Sequence, residues 1–588
     1  MKYKWIVLGA IVMCSFGMKY NSFNVVGIDH FGRSFSTISG FKKDRVVGVF
    51  FWLWIGQPYS SGIYDATKIA ALPNGIQILT DFAAHDPAVS PNGQAHYWGE
   101  PLWGYYNSDD EWVIRKQLQM LTMAGVDFIY FDTTNALIYA NVFMKILAVI
   151  DEMQKNGWTP PKVVFYTHSH SFQTVREIYA SLYQPGKYPN TWYCVDGKPM
   201  IIAYTDADDD LAEAKSRSDN GYVPGTLSSE IRDFFHFLKP QWPFDEVFPD
   251  GFPWIEWSFP QPLHTASGVM NVTVASHPMV PMSFSLSRPN WVNWGRGWDV
   301  KSKQNVAADV DRGPYFQAQW DQVVAADPKM VSVCGWNEWI AYKQPYDGEY
   351  MLCDAASKEY SRDIEPMAGG YQDAYYLQLI RNIRRYKGID SNLASHTAKT
   401  IDLAGSLSQW DDVKYVVRNT DEQFIARDAF GGSQTVRYTQ SAPVNKLLEI
   451  RVAHDAKNIY FYIRGKEKFS EYKGEDNWLN VFIGTGDPTP KGWEGYEYVI
   501  GRAISGGKAG IGKFGNGFTS ITNAGKARFG QDGNVILLAI PRNAVGLKST
   551  GKFYFKVAMG VTGLPDIMNT YKSGSVMPMG RLSYQYSG

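Results

Sequence analysis

Apolar positions along this chain follow two different rhythms. Between residues 46 and 390, short runs of consecutive apolar residues alternate with stretches of helical period. Val46–Trp54, Val126–Asp132, Lys162–Thr167, Pro199–Tyr204, Trp254–Trp257, Met279–Ser285 and Met330–Gly335 read as strands, because short continuous apolar runs suit strands covered on both faces. Glu111–Ala124, which stops at Gly125, and Ala140–Asn156 carry apolar residues three and four apart and read as helices. Tyr371–Tyr386, ending before Gly388, does the same. From about Ser406 the rhythm becomes strand, turn, strand, in Val413–Val417, Leu447–Ala453, Ile459–Ile463, Trp478–Ile483, Tyr496–Ile500, Val535–Pro541 and Phe553–Met559.

Strands alternating with helices over some 350 residues predict parallel β/α units. Polar or aromatic residues recur at the strand C-termini, which favours a closed barrel over an open sheet, since all barrel strands deliver those ends to one face. The predicted fold is α/β: a (β/α)8 TIM-like barrel followed by an antiparallel β-sandwich domain. The predicted divisions are a signal peptide over 1–22, the barrel over 23–395 and the sandwich over 400–588. The segment from about Asp206 to Asn305 is rich in Pro, Trp and Gly and is expected to carry long loops over the barrel face.

Composition sharpens this picture in three places. The chain has 588 residues, more than one ordinary core, and a net charge of -1 with no basic run, which argues against a nucleic-acid partner. Aromatic residues make up 15%, with 20 Trp, 36 Tyr and 32 Phe, many near predicted strand ends. Large aromatic cores account for this as well as sugar-stacking faces do. At the N-terminus, two lysines precede an apolar segment of roughly ten residues, the pattern of an export signal and too short for a membrane span. Cys14 offers a lipoprotein acceptor, although Ile-Val-Met before it lacks small residues. Export to the periplasm, cell surface or medium is therefore expected, with no membrane span and a monomeric chain. The other cysteines, Cys194, Cys334 and Cys353, lack metal-ligand spacing and leave either one disulfide, Cys334 with Cys353, or free thiols.

The candidate chemistry lies at the strand ends. Met330–Gly335 breaks off into Trp336, Asn337, Glu338 and Trp339, a carboxylate between two indoles and beside an amide. Such a group can act as acid, base or nucleophile on a sugar, or it can simply pair with a basic residue. Glycosidic cleavage normally takes two carboxyl groups. Asp132, followed by Thr133, Thr134 and Asn135, and Glu256, flanked by Trp254 and Trp257, are the candidate partners; Glu256 is the better acid, since neighbouring indoles desolvate it. Trp54, His168, Trp254, Trp257, Trp336, Asn337 and Trp339 are candidate substrate contacts. His168 and His170 have no Glu at helical spacing, so no catalytic metal is expected, and the acidic cluster Asp206 to Asp210 reads as a solvated loop. Neither a Gly-x-Ser-x-Gly elbow nor a phosphate loop is present.

Gly335–Trp339, Tyr360-Ser-Arg-Asp-Ile-Glu-Pro366, Tyr375–Leu377 and Arg384–Gly388 resemble glycoside-hydrolase barrels of families 99 and 71. The resemblance implies that Glu338 is a catalytic carboxylate. Family 99 endo-α-mannosidases carry a second catalytic Glu three residues further on, and this chain has Ala341 there. In the second half, Val452–Asp455 with Asn458–Tyr462, Asp476–Trp478 and Trp493–Tyr498 resemble family 9-like carbohydrate-binding modules. That resemblance implies a β-sandwich, structural calcium as one option, and glycan contact through aromatics, for which Trp493 and Tyr496 are the candidates. Together these expectations describe an exported glycoside hydrolase with a poly- or oligosaccharide substrate and no cofactor required for catalysis. The alternative is a non-catalytic glycan-binding protein on a degenerate barrel.

Overall fold

The computed structural model describes residues 25–38, 40–57, 62–288, 290–353, 357–389, 396–547 and 551–588. The expected signal segment and Cys14 lie outside them. Eight strands run parallel and in chain order through one sheet: β1 (Val46–Phe51), β2 (Phe128–Thr133), β3 (Lys162–Thr167), β4 (Lys198–Ile202), β5 (His236–Gln241), β6 (Gly251–Pro253), β7 (Val269–Thr273) and β8 (Met330–Cys334). Ladders join each strand from β1 to β6 to the next, join β7 to β8, and bring β8 back onto β1.

One seam has no ladder among the described residues, that between β6 and β7, and side chains span it instead. Asn271, in the middle of β7, accepts the Glu256 N–H on Oδ1 (3.1 Å) and donates from Nδ2 to the Trp254 carbonyl (3.2 Å) and the Ser332 carbonyl (3.1 Å). Ser332 Oγ donates to the Pro253 carbonyl (2.9 Å). The sheet is thus nearly barrel-like. Its interior is filled rather than open: Phe50, Tyr130, Tyr166 and Phe252 pack ring against ring at centroid distances of 5.1–6.5 Å. Buried phenols need acceptors, and Tyr130 and Tyr166 donate to the carbonyls of Val333 (3.1 Å) and Phe252 (3.0 Å).

Helices cover the outside. α1 (Glu111–Ala124), α2 (Ala140–Lys155) and α3 (Ser171–Ile178) follow β1, β2 and β3; α4 (Ala207–Ser216) and α5 (Ser229–Phe234) follow β4; α6 (Pro314–Ala326) follows β7 and α7 (Ala374–Lys387) follows β8. Among the described residues no helix follows β5 or β6, so the alternating plan is incomplete at those two steps. There the strand expectations also need correction. Trp254–Trp257 lies just past β6, and Met279–Ser285 is a loop entering a helical turn, Phe284–Ser287. The acidic cluster caps a helix instead of forming a solvated loop: Asp206 accepts from the Asp208 N–H, and buried Asp210 accepts the N–H groups of Ser171 and Phe172 at the start of α3.

The second half forms a continuous antiparallel sheet. It curls until strands far apart in its order meet face to face: Phe461, in Asn458–Gly465, packs 5.1 Å from Phe555, in Lys552–Met559. The chain's first described strand, Val25–Ile28, belongs to this sheet and pairs with Leu582–Ser587 (Val25 opposite Tyr584). The two halves are joined by buried charges. Arg427 Nε donates to Asp110 Oδ2 (2.8 Å), the same carboxylate that caps α1, and Nη1 reaches the Trp103 carbonyl (3.0 Å). Arg581 pairs with Asp373, which also accepts from Tyr571 Oη (3.0 Å). The cysteines Cys194, Cys334 and Cys353 are unbridged, so the Cys334–Cys353 pairing does not form: Cys334 ends a core strand, and Cys353 follows the hairpin of Ile340–Tyr346 and Glu349–Leu352. Among the described residues no helix is long and apolar enough to cross a membrane.

Candidate active site

The C-terminal ends of β1, β2, β6 and β8 bring the expected carboxylates to the same face of the sheet. Past β1, Asn337 extends the β8–β1 ladder with its amide, accepting the Trp52 N–H on Oδ1 (2.8 Å) and donating to the Trp52 carbonyl (3.2 Å). Asn337 is therefore a backbone strap. Trp52 and Trp54 lie 4.4 Å apart, and Trp54 Nε1 donates to Asp132 Oδ2 (3.2 Å). On Asp132 Oδ1 converge the Thr134 N–H (3.1 Å) and Oγ1 (2.7 Å). Three donors on one buried carboxylate suit its acceptor-only, ionised form.

Glu338 is held differently. Arg362 Nη2 lies 2.8 Å from Oε1 and 2.9 Å from Oε2, and Nε lies 3.2 Å from Oε2. The side chains are 0% and 1% exposed, so the pair is taken wholly out of water. The guanidinium also lies 4.8 Å over the Trp254 ring. Trp254 in turn meets Trp242 at 5.2 Å, and Trp242 stacks on His168 at 3.9 Å. His168, Trp254, Arg362 and Glu338 thus form one continuous chain of contacts. His168 Nδ1 sits 3.2 Å from Glu213 Oε1 and 3.3 Å from Arg217 Nη2, and burial lowers its pKa.

Trp336 and Trp339 are not open platforms. Trp336 packs edge-on against Tyr376 of α7, and Trp339 stacks on Trp98 at 4.3 Å and donates Nε1 to Glu365; both are fully buried. Trp257 is half-buried beside the exposed ring of Phe244 (6.0 Å), and Trp291 is exposed on the loop after β7, so the rim's aromatic surface is there. In the sheet domain Trp493 and Tyr496 are likewise core residues, donating to the Pro565 carbonyl (3.1 Å) and meeting Ser583 Oγ (2.6 Å).

Glu256 is buried, with Oε1 3.1 Å from His264 Nε2. His264 had no role in the sequence reading; it sits on a two-residue strand, Leu263–His264, antiparallel to β7. Nor did Asp363 and Glu365, although Ser-Arg-Asp-Ile-Glu puts three charges into four positions of a fully buried segment, the signal that could have marked them. Asp363 accepts the Glu338 N–H (2.6 Å) and Trp98 Nε1 (3.2 Å). Glu365 accepts from Trp103 (2.9 Å), Tyr106 (2.8 Å), Gln117 (2.7 Å) and Trp339. Burial pushes both carboxyls up to about 7. Among the described residues no group of three or more His, Cys, Asp and Glu side chains could hold a metal ion. In the sheet domain, for which structural calcium was one expectation, Asp487 lies 2.7 Å from Lys552 Nζ.

The chain combines a nearly barrel-like parallel sheet, carboxylates at its C-terminal mouth, and an antiparallel sheet domain. Among solved structures it is similar to the GH99 endo-alpha-mannosidase from Bacteroides thetaiotaomicron, at 18% identity over 58% of this chain and 98% of that one, with a TM-score of 0.35. A second similar structure is that organism's GH99 endo-alpha-mannosidase in complex with bis-tris-propane, at 15% identity over 58% of this chain and 97% of that one, with a TM-score of 0.32. No protein-family model and no curated protein matches the chain.

Proposed function

We propose that this chain is a glycoside hydrolase that acts on a poly- or oligosaccharide at the mouth of the parallel sheet, with Glu256 as acid and Asp132 as base or nucleophile. The observation that carries the reading is the contrast between two buried carboxyls at strand ends: Asp132 takes three donors, whereas Glu256 meets the His264 imidazole. Hydrolysis of an acetal needs one group to deliver a proton and another to receive one or attack, and different surroundings are what separate those roles. Glu338, its two oxygens against Arg362, anchors that guanidinium over Trp254. Trp257, Phe244 and Trp291 offer the apolar faces for sugar rings. The antiparallel domain would hold the protein near its glycan, and export of a monomeric chain with no cofactor needed for the chemistry completes the reading.

The buried Glu338–Arg362 pair also favours a second reading, a glycan-binding barrel without catalysis, because a carboxylate locked on a guanidinium does no chemistry. Incubation with plant, fungal and bacterial polysaccharides, read by release of reducing ends, separates the two. Hydrolysis that is lost in both Glu256→Gln and Asp132→Asn supports the enzyme. Glycan binding with no hydrolysis of any member of the panel supports the second reading.

A further inference from the structure

His264 Nδ1 lies 2.7 Å from the Phe248 carbonyl oxygen. A carbonyl can only accept, so Nδ1 carries a proton. In a neutral imidazole the other nitrogen is then a bare lone pair, yet Nε2 lies 3.1 Å from Glu256 Oε1. A lone pair and a carboxylate oxygen do not attract at that distance. The contact therefore contains a second proton, on Glu256 as a carboxylic acid donating to Nε2, or on an imidazolium donating to the carboxylate.

The seat that fixes this geometry is built from several sides. Gln241 Oε1 accepts the Phe248 N–H (2.9 Å) and so helps to hold the residue whose carbonyl meets Nδ1. Ser267 Oγ donates to the Gly251 carbonyl (2.8 Å). At Gly251 itself a Cβ would stand 2.9 Å from His264 Nδ1 and 3.1 Å from the Phe248 oxygen, so only glycine leaves the ring its place. The ring is fully buried. Among the described residues, the Tyr315 phenol of α6 also lies within reach of the Glu256 charge, and burial above all pushes it up.

We infer that His264 is the positioning residue that keeps a transferable proton at Glu256, an inference that rests on Glu256 being the acid proposed above. In the hydrolytic step the proton passes from Glu256 to the glycosidic oxygen as the bond to the anomeric carbon breaks and its electron pair stays with that oxygen. Water adds to the anomeric carbon and its proton goes to Asp132. Glu256 is left as a carboxylate opposite the Nε2 lone pair, an unfavourable arrangement that draws a proton back from solvent as Asp132 releases one.

The test is nuclear magnetic resonance of the full chain labelled with 15N at histidine, with His264→Gln identifying the His264 signals. The expected result is a His264 that keeps its proton on Nδ1 from pH 5 to 8. A ring protonated on Nε2 and bare on Nδ1 overturns the inference and leaves Glu256 as acid. On a polysaccharide cleaved by the wild type, His264→Gln presents amide N–H groups that favour the carboxylate. It is expected to move the alkaline limb of kcat/KM to lower pH by about one unit or more, while KM changes little. Gly251→Ala, which displaces the ring without altering charge, should move the limb as well. Unmoved limbs in both variants overturn the inference, and full activity of Glu256→Gln overturns the reading beneath it.

Discussion

Glu338 and Arg362 face each other as a bidentate pair from which water is excluded, Nη2 at 2.8 Å from Oε1 and Nε at 3.2 Å from Oε2, on a guanidinium that also covers the Trp254 ring. Taking both charges out of water is costly, and their attraction offsets that cost only while both are present. Removing one partner takes the bidentate counter-charge from a buried ion. Arg362→Met and Glu338→Leu should each destabilise the fold by about 3–5 kcal/mol, and the double variant by much less than the sum. Urea midpoints of the four proteins close this cycle, and additive losses would mean the pair is not coupled.

The roles proposed for Asp132 and Glu256 predict a different signature. Asp132→Asn and Glu256→Gln keep size and packing, so circular dichroism and unfolding midpoints should stay near wild type. Hydrolysis should fall at least about a thousandfold in each, equivalent to roughly 4 kcal/mol of transition-state stabilisation. Retained turnover in either variant would remove that residue from the chemistry.

Asp363 and Glu365 should make the fold more stable in mild acid than at neutral pH. Their native pKa values lie at about 7, above the ordinary 3.8 and 4.5, so between about pH 4 and 7 the native state binds more protons than the unfolded one. Stability then falls as pH rises through that window and levels off above it. Thermal midpoints from pH 4 to 8 read this slope. Glu365→Gln, which cannot ionise, should flatten part of it; an unchanged slope would assign the dependence to other groups.

Asn271 is predicted to matter more than an ordinary core position. Asn271→Leu removes the acceptor for the Glu256 N–H and the donor to the Trp254 and Ser332 carbonyls, leaving buried polar groups unmet at about 1–3 kcal/mol each. A loss of about 2 kcal/mol or more in denaturant unfolding is expected, with greater amide exchange at residues 251–257. A variant as stable as wild type would show that the seam closes without it.

Much of the parallel sheet was legible in the chain. Lys162–Thr167 and Glu111–Ala124 occupy their predicted spans because each is a simple periodic run with clear ends, the helix stopping at Gly125, which adopts a φ of 79°. β5 was hidden by Lys239-Pro240, and β7 by Asn271, whose amide serves the neighbouring strands rather than its own pattern. The positions of two candidate carboxylates were legible from strand ends, Asp132 near the end of β2 and Glu256 just past β6. What they do was less legible, because partners such as Arg362 and His264 come from distant or irregular segments. Local spacing carries no record of the Glu338–Arg362 contact, nor of the burial of Trp336 and Trp339.

Pairing of Val25–Ile28 with Leu582–Ser587 also orders events in time. The first of these strands leaves the ribosome long before the second is made, about half a minute to two minutes earlier at ordinary rates of synthesis. Throughout that interval only its other neighbour, Ser34–Phe35, is there to pair with it, and the carboxylates of Asp110 and Asp373 await Arg427 and Arg581 from the second half of the chain. The nascent polypeptide cannot complete this antiparallel sheet until Leu582–Ser587 has been made.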